Sequence, residues 1–219
     1  AFLPYENQLV VFSYFFSKIR SPSLAQLEVL RKWFWQSGFS EHYRGAAEGI
    51  LEQDINAADQ LIEGDLEALK LPFGIYKKDL LTRQFAIQGS FSKTFAVMLA
   101  RKNPKNITNG SAIDTQNSLS VYNSKEFHHI FPADFLKDLG VEKVKRNNLC
   151  NICMLSASQN KYISKKAPSL YLIECANILG EKAKEIFNSN VIPFSSDAPW
   201  VNDDYDGFLE TRADLIIEE

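Results

Sequence analysis

Two of the three histidines in this chain stand side by side, in Glu126-Phe127-His128-His129-Ile130-Phe131-Pro132. Asn148, Asn151 and Asn160 follow, and then Lys165 and Lys166. Hydrolysis of a phosphodiester needs an activated water, charge compensation on the scissile phosphate and a donor to the leaving oxygen. A neutral imidazole supplies the first, and one hard cation supplies the other two. Neighbouring residues on a regular strand face opposite ways. Both histidines therefore serve one pocket only if the backbone turns at Ile130-Phe131-Pro132, one binding metal and the other poising a water. Asn160, one turn into a following helix, is placed to complete the metal shell with its amide oxygen. Lys165 and Lys166 fall about one and a half turns further along that helix, within reach of a neighbouring phosphate. Asn151 on a second strand is placed to fix the loop that carries the base. Asn148 competes for that role, although Asn147-Asn148 also reads as the turn entering the strand.

Charge follows the same map. The net charge is −3, which argues against a constitutive nucleic-acid binder. From Lys137 to Lys166, however, seven basic residues (Arg146, Lys161, Lys165 and Lys166 among them) stand against Asp138 and Glu142. From Glu41 to Glu67 eight acids stand against Arg44, and from Asn202 to Glu219 seven stand against Arg212. Local potential decides where a phosphate backbone can approach, and it is positive around the His and Asn cluster.

The elements that must position these residues read as mostly helical. Residues 5–19 are apolar nearly all round, as a buried helix would be. A second helix from Leu24 carries Trp33, Phe34 and Trp35 as core residues and ends at Gly38. A third runs from Ala46 to Leu69 with an acidic outer face. Shorter helices cover Lys78–Ile87 and Ser92–Ala100. The stretch from Arg101 to Ser124 is the longest loop. The pattern then changes to strands at Glu126–Phe131 and Asn148–Leu155, joined by a loop. A Ser156–Gln159 capping box opens the Asn160 helix. Pro168 starts a helix to Phe187, followed by a short apolar run and a solvated acidic tail.

Hydrophobic residues make up 45% and charged residues 23%, ordinary for a soluble globular protein. No apolar run reaches the roughly 20 residues a bilayer span needs. Three Cys give no disulfide framework and suit a reducing cytoplasm. Cys150 and Cys153 form a C-x-x-C, but on a strand they face opposite ways, and they read as small buried hydrophobes. His42 reads as a capping or packing contact, and Arg44 as an ion pair with the acidic helix. The chain opens on Ala1-Phe2-Leu3-Pro4 without an initiator Met and reads as a piece of a longer protein.

The order His128-His129, Asn151, Asn160 resembles the HNH, or ββα-metal (His-Me finger), nuclease motif. The resemblance implies that His128 is a metal ligand, His129 the general base, Asn151 the orienting residue and Asn160 the second ligand, around one Mg²⁺ or Mn²⁺. The flanks, from His128-His129-Ile130-Phe131-Pro132 through Asn148-Leu149 and Asn151-Ile152 to Ile163, Lys166, Pro168 and Tyr171-Leu172, are similar to the C-terminal nuclease domain of GmrSD-like restriction proteins. So are Leu30 to Trp35 and Phe39 to Arg44. That family restricts modified phage DNA and carries an N-terminal ParB-like nucleotide-binding domain with an Asp-Gly-Gln-Gln-Arg motif, which this chain lacks. The expectation is a predominantly helical α+β fold. A helical scaffold over 1–125, an HNH core over 126–172, and a C-terminal helix with acidic tail over 173–219 form one compact domain. DNA is the expected partner, beside a ParB-like sensor domain of the same protein, and no membrane is. Two rivals stand beside this reading: a nuclease acting on RNA or as a toxin, and a non-catalytic module in which the motif only packs.

Overall fold

A computed structural model describes residues 2–45, 47–119, 127–155 and 157–219. In chain order the helices are α1 (Glu6–Lys18), α2 (Leu24–Phe39), α3 (Ala47–Glu63), α4 (Lys77–Thr82), α5 (Ser90–Arg101) and α6 (Thr115–Ser118). After strand β1 (Phe127–His129) come α7 (Ala133–Asp138) and α8 (Lys143–Arg146), then β2 (Ile152–Met154). The chain closes with α9 (Ala157–Ile163), α10 (Pro168–Leu179), α11 (Ala183–Ser189) and α12 (Tyr205–Ile217). The fold is α+β and predominantly helical, with one small two-stranded sheet. Among the described residues no helix is long and apolar enough to cross a membrane.

The chain divides into two compact units, residues 2–74 with 87–95, and residues 75–86 with 96–219. The 75–86 segment groups with 96–219 because it pairs with residues far along the chain. Phe85 N–H donates to the Asn147 carbonyl at 2.9 Å, and Leu149 N–H to the Arg83 carbonyl at 2.8 Å.

In the first unit Val11, Phe15, Leu30, Trp33, Ala58 and Leu61 form one apolar core. Helix α1 is not buried all round as expected: Leu9, Val10 and Phe16 are about half exposed, at 53%, 46% and 50%. Its buried face holds Gln8, Val11 and Phe15, the spacing of a single helical stripe. Gly38 does not end α2, which runs on to Phe39. A Cβ at Gly38 would lie 2.4 Å from the Thr94 hydroxyl, so this glycine serves close packing against α5. Helix α3 stops at Glu63, where Gly64 takes a φ of +111°. His42 Nε2 lies 3.0 Å from an Asp54 carboxylate oxygen, and the Tyr43 hydroxyl donates to the same carboxylate. Arg44 pairs with Glu41 and not with α3.

In the second unit several expected elements are shorter. The helix expected over 78–87 ends at Thr82, and Gln84 forms an antiparallel bridge with Asn148. The strand expected over 148–155 begins as a tight 3-10 turn, Leu149–Asn151, capped by the Asn148 side chain, which accepts from Cys150 N–H at 2.7 Å. The connection between the strands holds α7 and α8 in place of a plain loop. The helix expected to Phe187 breaks at Gly180, whose φ is +55°. The acidic tail is helix α12, which buries Phe208, Arg212 and Ala213 and turns its acids outward. Asp214 meets Lys77 at 2.8 Å and Asp206 meets Lys145 at 2.6 Å. Glu126 and Ser156, expected to open β1 and to cap α9, lie outside the described residues.

Candidate functional site

Strands β1 and β2 pair antiparallel with His128 opposite Cys153 and His129 opposite Ile152. Pairing continues one step further, where Ile130 N–H donates to the Asn151 carbonyl at 2.8 Å. The chain then turns through buried Ile130 and Phe131 into α7, with Pro132 at its N-cap. Proline suits that place because its fixed φ fits and no N–H is lost from the helix.

The fully buried Asn151 holds this turn. Its Oδ1 accepts from Phe131 N–H at 2.8 Å, while its Nδ2 donates to the Phe131 and Arg146 carbonyls, both at 3.0 Å. One side chain thus ties the segment after His129 to the end of α8. Asn148 is spent elsewhere, its Nδ2 donating to the Leu81 carbonyl at 2.6 Å. The Tyr171 hydroxyl donates to the Ile130 carbonyl at 2.6 Å. Arg212 is fully buried and donates to three carbonyls, those of Cys150 at 2.7 Å, Val191 at 2.9 Å and Asn190 at 3.1 Å. Burial holds its guanidinium below the usual arginine range. Phe131 packs on Phe208 and Tyr205, with ring centroids 4.9 and 5.1 Å apart.

Because the backbone turns after a strand of three residues, His128 and His129 both line one open cleft of about 460 Å³. Pro132, Ala133 and Asp134 from the start of α7 line it too, with Asn160, Lys161 and Ser164 from the region of α9. A larger groove of about 620 Å³ lies along Lys105, Gly110, Ile178 and Ile186, and holds none of the candidate catalytic, metal or phosphate-binding residues. Chemistry, not size, singles out the first.

His129 Nε2 lies 3.2 Å from Asn147 Oδ1. Burial pushes the His129 pKa below the ordinary imidazole value; the Asn147 contact opposes that shift and the Arg146 guanidinium adds to it. The ring is therefore neutral near pH 7 and carries a lone pair, as a proton acceptor must. Arg146 is half-buried and donates from Nη1 to the Ala133 carbonyl at 3.2 Å, so part of it braces α7 against α8. Helix α9 ends at Ile163, and Ser164 takes a positive φ of 51°. Lys165 and Lys166 consequently lie beyond the helix they were expected to share with Asn160. Lys165 is exposed, and Lys166 Nζ sits 3.9 Å over the Tyr162 ring and 3.4 Å from Glu174. Lys161 is the expected phosphate contact that does line the cleft.

Among the described residues no three His, Cys, Asp or Glu side chains gather into a metal cage. The donors at the cleft are His128, the Asn160 amide and the Asp134 carboxylate. A nitrogen and oxygen set with room for water and phosphate fits an open site for Mg²⁺ or Mn²⁺ better than a closed structural one. Asp134 was not singled out in sequence, where it is one acid among many. Cys150 and Cys153 are buried free thiols, and burial pushes each up to about 12.

The chain is 28% identical to an uncharacterised protein of Methanocaldococcus jannaschii, over 249 aligned positions covering 99% of this chain and 40% of that protein. It thus spans less than half the length of that relative. No family model and no solved structure matches the chain.

Proposed function

We propose that this chain is the nuclease part of a longer protein, an HNH-type domain that hydrolyses phosphodiester bonds in DNA. The observation that carries the reading is convergence: His128, His129 and Asn160, brought from a strand end and a helix, line one solvent-open cleft beside Lys161. His129, neutral through burial, takes the proton from an attacking water. His128 and Asn160, with Asp134 beside them, would hold one divalent cation. When bound, Mg²⁺ or Mn²⁺ neutralises charge on the scissile phosphate and stabilises the leaving oxygen. Lys161 draws the phosphate backbone to the cleft mouth, and Arg146 adds positive potential behind it. Asn151 keeps the turn after His129 from relaxing. The supporting resemblance points to restriction of modified phage DNA, with a ParB-like nucleotide-binding sensor domain of the same protein as the partner that directs cutting.

The test is a supercoiled-plasmid assay with Mg²⁺, Mn²⁺ or EDTA, run on this chain and on His129→Ala. Metal-dependent nicking that falls by about 10²–10⁴-fold in the variant supports the assignment. Cleavage retained by a folded His129→Ala variant would falsify it. A parallel arm with structured and single-stranded RNA separates the DNA reading from an RNA-directed nuclease.

A further inference from the structure

Asn147 has no role in the mechanism above, and in sequence it is one of two adjacent asparagines in a turn. Its hydrogen bonds give it one. Its Nδ2 donates to the Phe85 carbonyl at 2.8 Å, and its own carbonyl accepts from Phe85 N–H at 2.9 Å. The Phe85 ring in turn packs on Phe127 of β1, centroids 5.2 Å apart. A carbonyl can only accept, so the amide cannot flip without setting its oxygen against the Phe85 oxygen. The orientation is thereby fixed, and the atom 3.2 Å from His129 Nε2 is an acceptor, Asn147 Oδ1. A neutral imidazole carries one N–H. For the contact to be a hydrogen bond, that proton sits on Nε2, and the lone pair is on Nδ1.

Resting on the nuclease reading for its meaning, though not for its test, we infer that Asn147 is a positioning residue. It locks His129 in the Nε2–H tautomer and makes Nδ1 the atom that accepts the proton of the attacking water. The neighbouring Asn148 cannot substitute, because its amide is committed to the Leu81 carbonyl and to Cys150 N–H. The segment at Phe85, some sixty residues earlier, becomes part of the site's support. An imidazole whose second nitrogen has a fixed partner has one tautomer and one orientation; without it both tautomers populate and part of the protein holds its proton on the wrong atom.

The tautomer is read directly by long-range ¹H–¹⁵N correlation spectra of imidazole-labelled protein, without metal or DNA, in mildly alkaline buffer. The His129 signals are assigned by their loss in His129→Gln. The expected pattern is pure Nε2–H in the unsubstituted chain and a mixed pattern in Asn147→Leu. In the plasmid assay Asn147→Leu should lose roughly 10- to 100-fold in kcat with KM for DNA little changed. An Nδ1–H pattern at His129 in the unsubstituted chain overturns the inference. So does an unaltered pattern in folded Asn147→Leu. A chain that shows the Nε2–H pattern and cuts nothing sinks the nuclease reading alone; one that cuts DNA with an Nδ1–H pattern sinks this inference alone.

Discussion

Replacing Asn151 by Leu keeps the side-chain volume nearly constant and removes only its polar bonds. Phe131 N–H and the Phe131 carbonyl lose their partner, and the Arg146 carbonyl keeps only the Tyr205 hydroxyl at 3.5 Å. Phe131 is fully buried, so water cannot replace the amide oxygen at its N–H. A stranded buried donor costs about 1–3 kcal/mol, and under-satisfied carbonyls cost somewhat less. Together the loss is about 3 kcal/mol, a large fraction of the roughly 5–15 kcal/mol that holds a domain folded. For a chain of this size that corresponds to a fall in Tm of roughly 6–12 °C. Asn151→Ala adds a cavity and should fall further. Two compact units need not melt together, so the thermal scan is paired with hydrogen exchange read on peptides covering 127–132 and 149–155. Those peptides should exchange faster in both variants, while peptides within 6–18 and 24–39 stay as before. If Asn151→Leu melts within about 1 kcal/mol of the parent and exchange at 127–132 is unaltered, the three bonds do not hold the turn. The account of how both histidines reach one cleft then fails with them.

Other consequences can be checked alongside. Cys150 and Cys153, pushed up to about 12, and Cys175, pushed up to about 11, should resist alkylation in the folded chain at mildly alkaline pH and react at once in denaturant. Because their folded pKa values lie above the unfolded ones, the chain should lose stability as pH rises past the ordinary thiol range near 8.5. His129 runs the other way: its folded pKa lies below the unfolded value. As pH falls through about 6.5 the unfolded chain binds a proton that the folded ring refuses, so stability drops toward acid and His129→Gln flattens that slope in urea titrations. Gly38→Ala would set a Cβ 2.4 Å from the Thr94 hydroxyl and should destabilise by about 1–3 kcal/mol, with partial rescue by Thr94→Ala in a double-mutant cycle. His128→Ala and Asn160→Ala should each weaken Mn²⁺ binding in calorimetric titration, and Asn160→Ala, at an exposed position, should do so with the metal-free melting temperature nearly unmoved.

The two histidines and Asn160 of the cleft were legible in sequence because chemistry restricts their types. An adjacent His pair before an apolar turn, with Asn151 and Asn160 downstream, is an unusual arrangement, and the alternating rule for strands already required the backbone to turn at Ile130-Phe131-Pro132. The helical character of the chain was legible for a similar reason, since apolar spacing near 3.6 is hard to produce otherwise. Element ends were less so. Lys165 and Lys166 were expected on the Asn160 helix because nothing in Tyr162-Ile163-Ser164 marks a stop, yet Ser164 takes a left-handed conformation there. Gly38 carried the usual sign of a helix end, and tertiary packing against Thr94 used it differently.

What supports the cleft was hidden for a deeper reason. Asn151 grips the Phe131 and Arg146 carbonyls, Tyr171 the Ile130 carbonyl, Arg212 the Cys150 carbonyl and Asn147 the Phe85 carbonyl. Each of these bonds ends on a backbone acceptor, and every residue has one. A partner common to all positions leaves no mark on the residue that supplies it, so only the donor's type is visible in sequence, without its target. The same fact bears on substitution. Changing the residue at 85 while keeping its backbone path should spare the Asn147 contact, whereas a proline at 85 removes the N–H that pairs with the Asn147 carbonyl. Phe85→Leu should therefore leave the His129 tautomer as it is, and Phe85→Pro should disturb it.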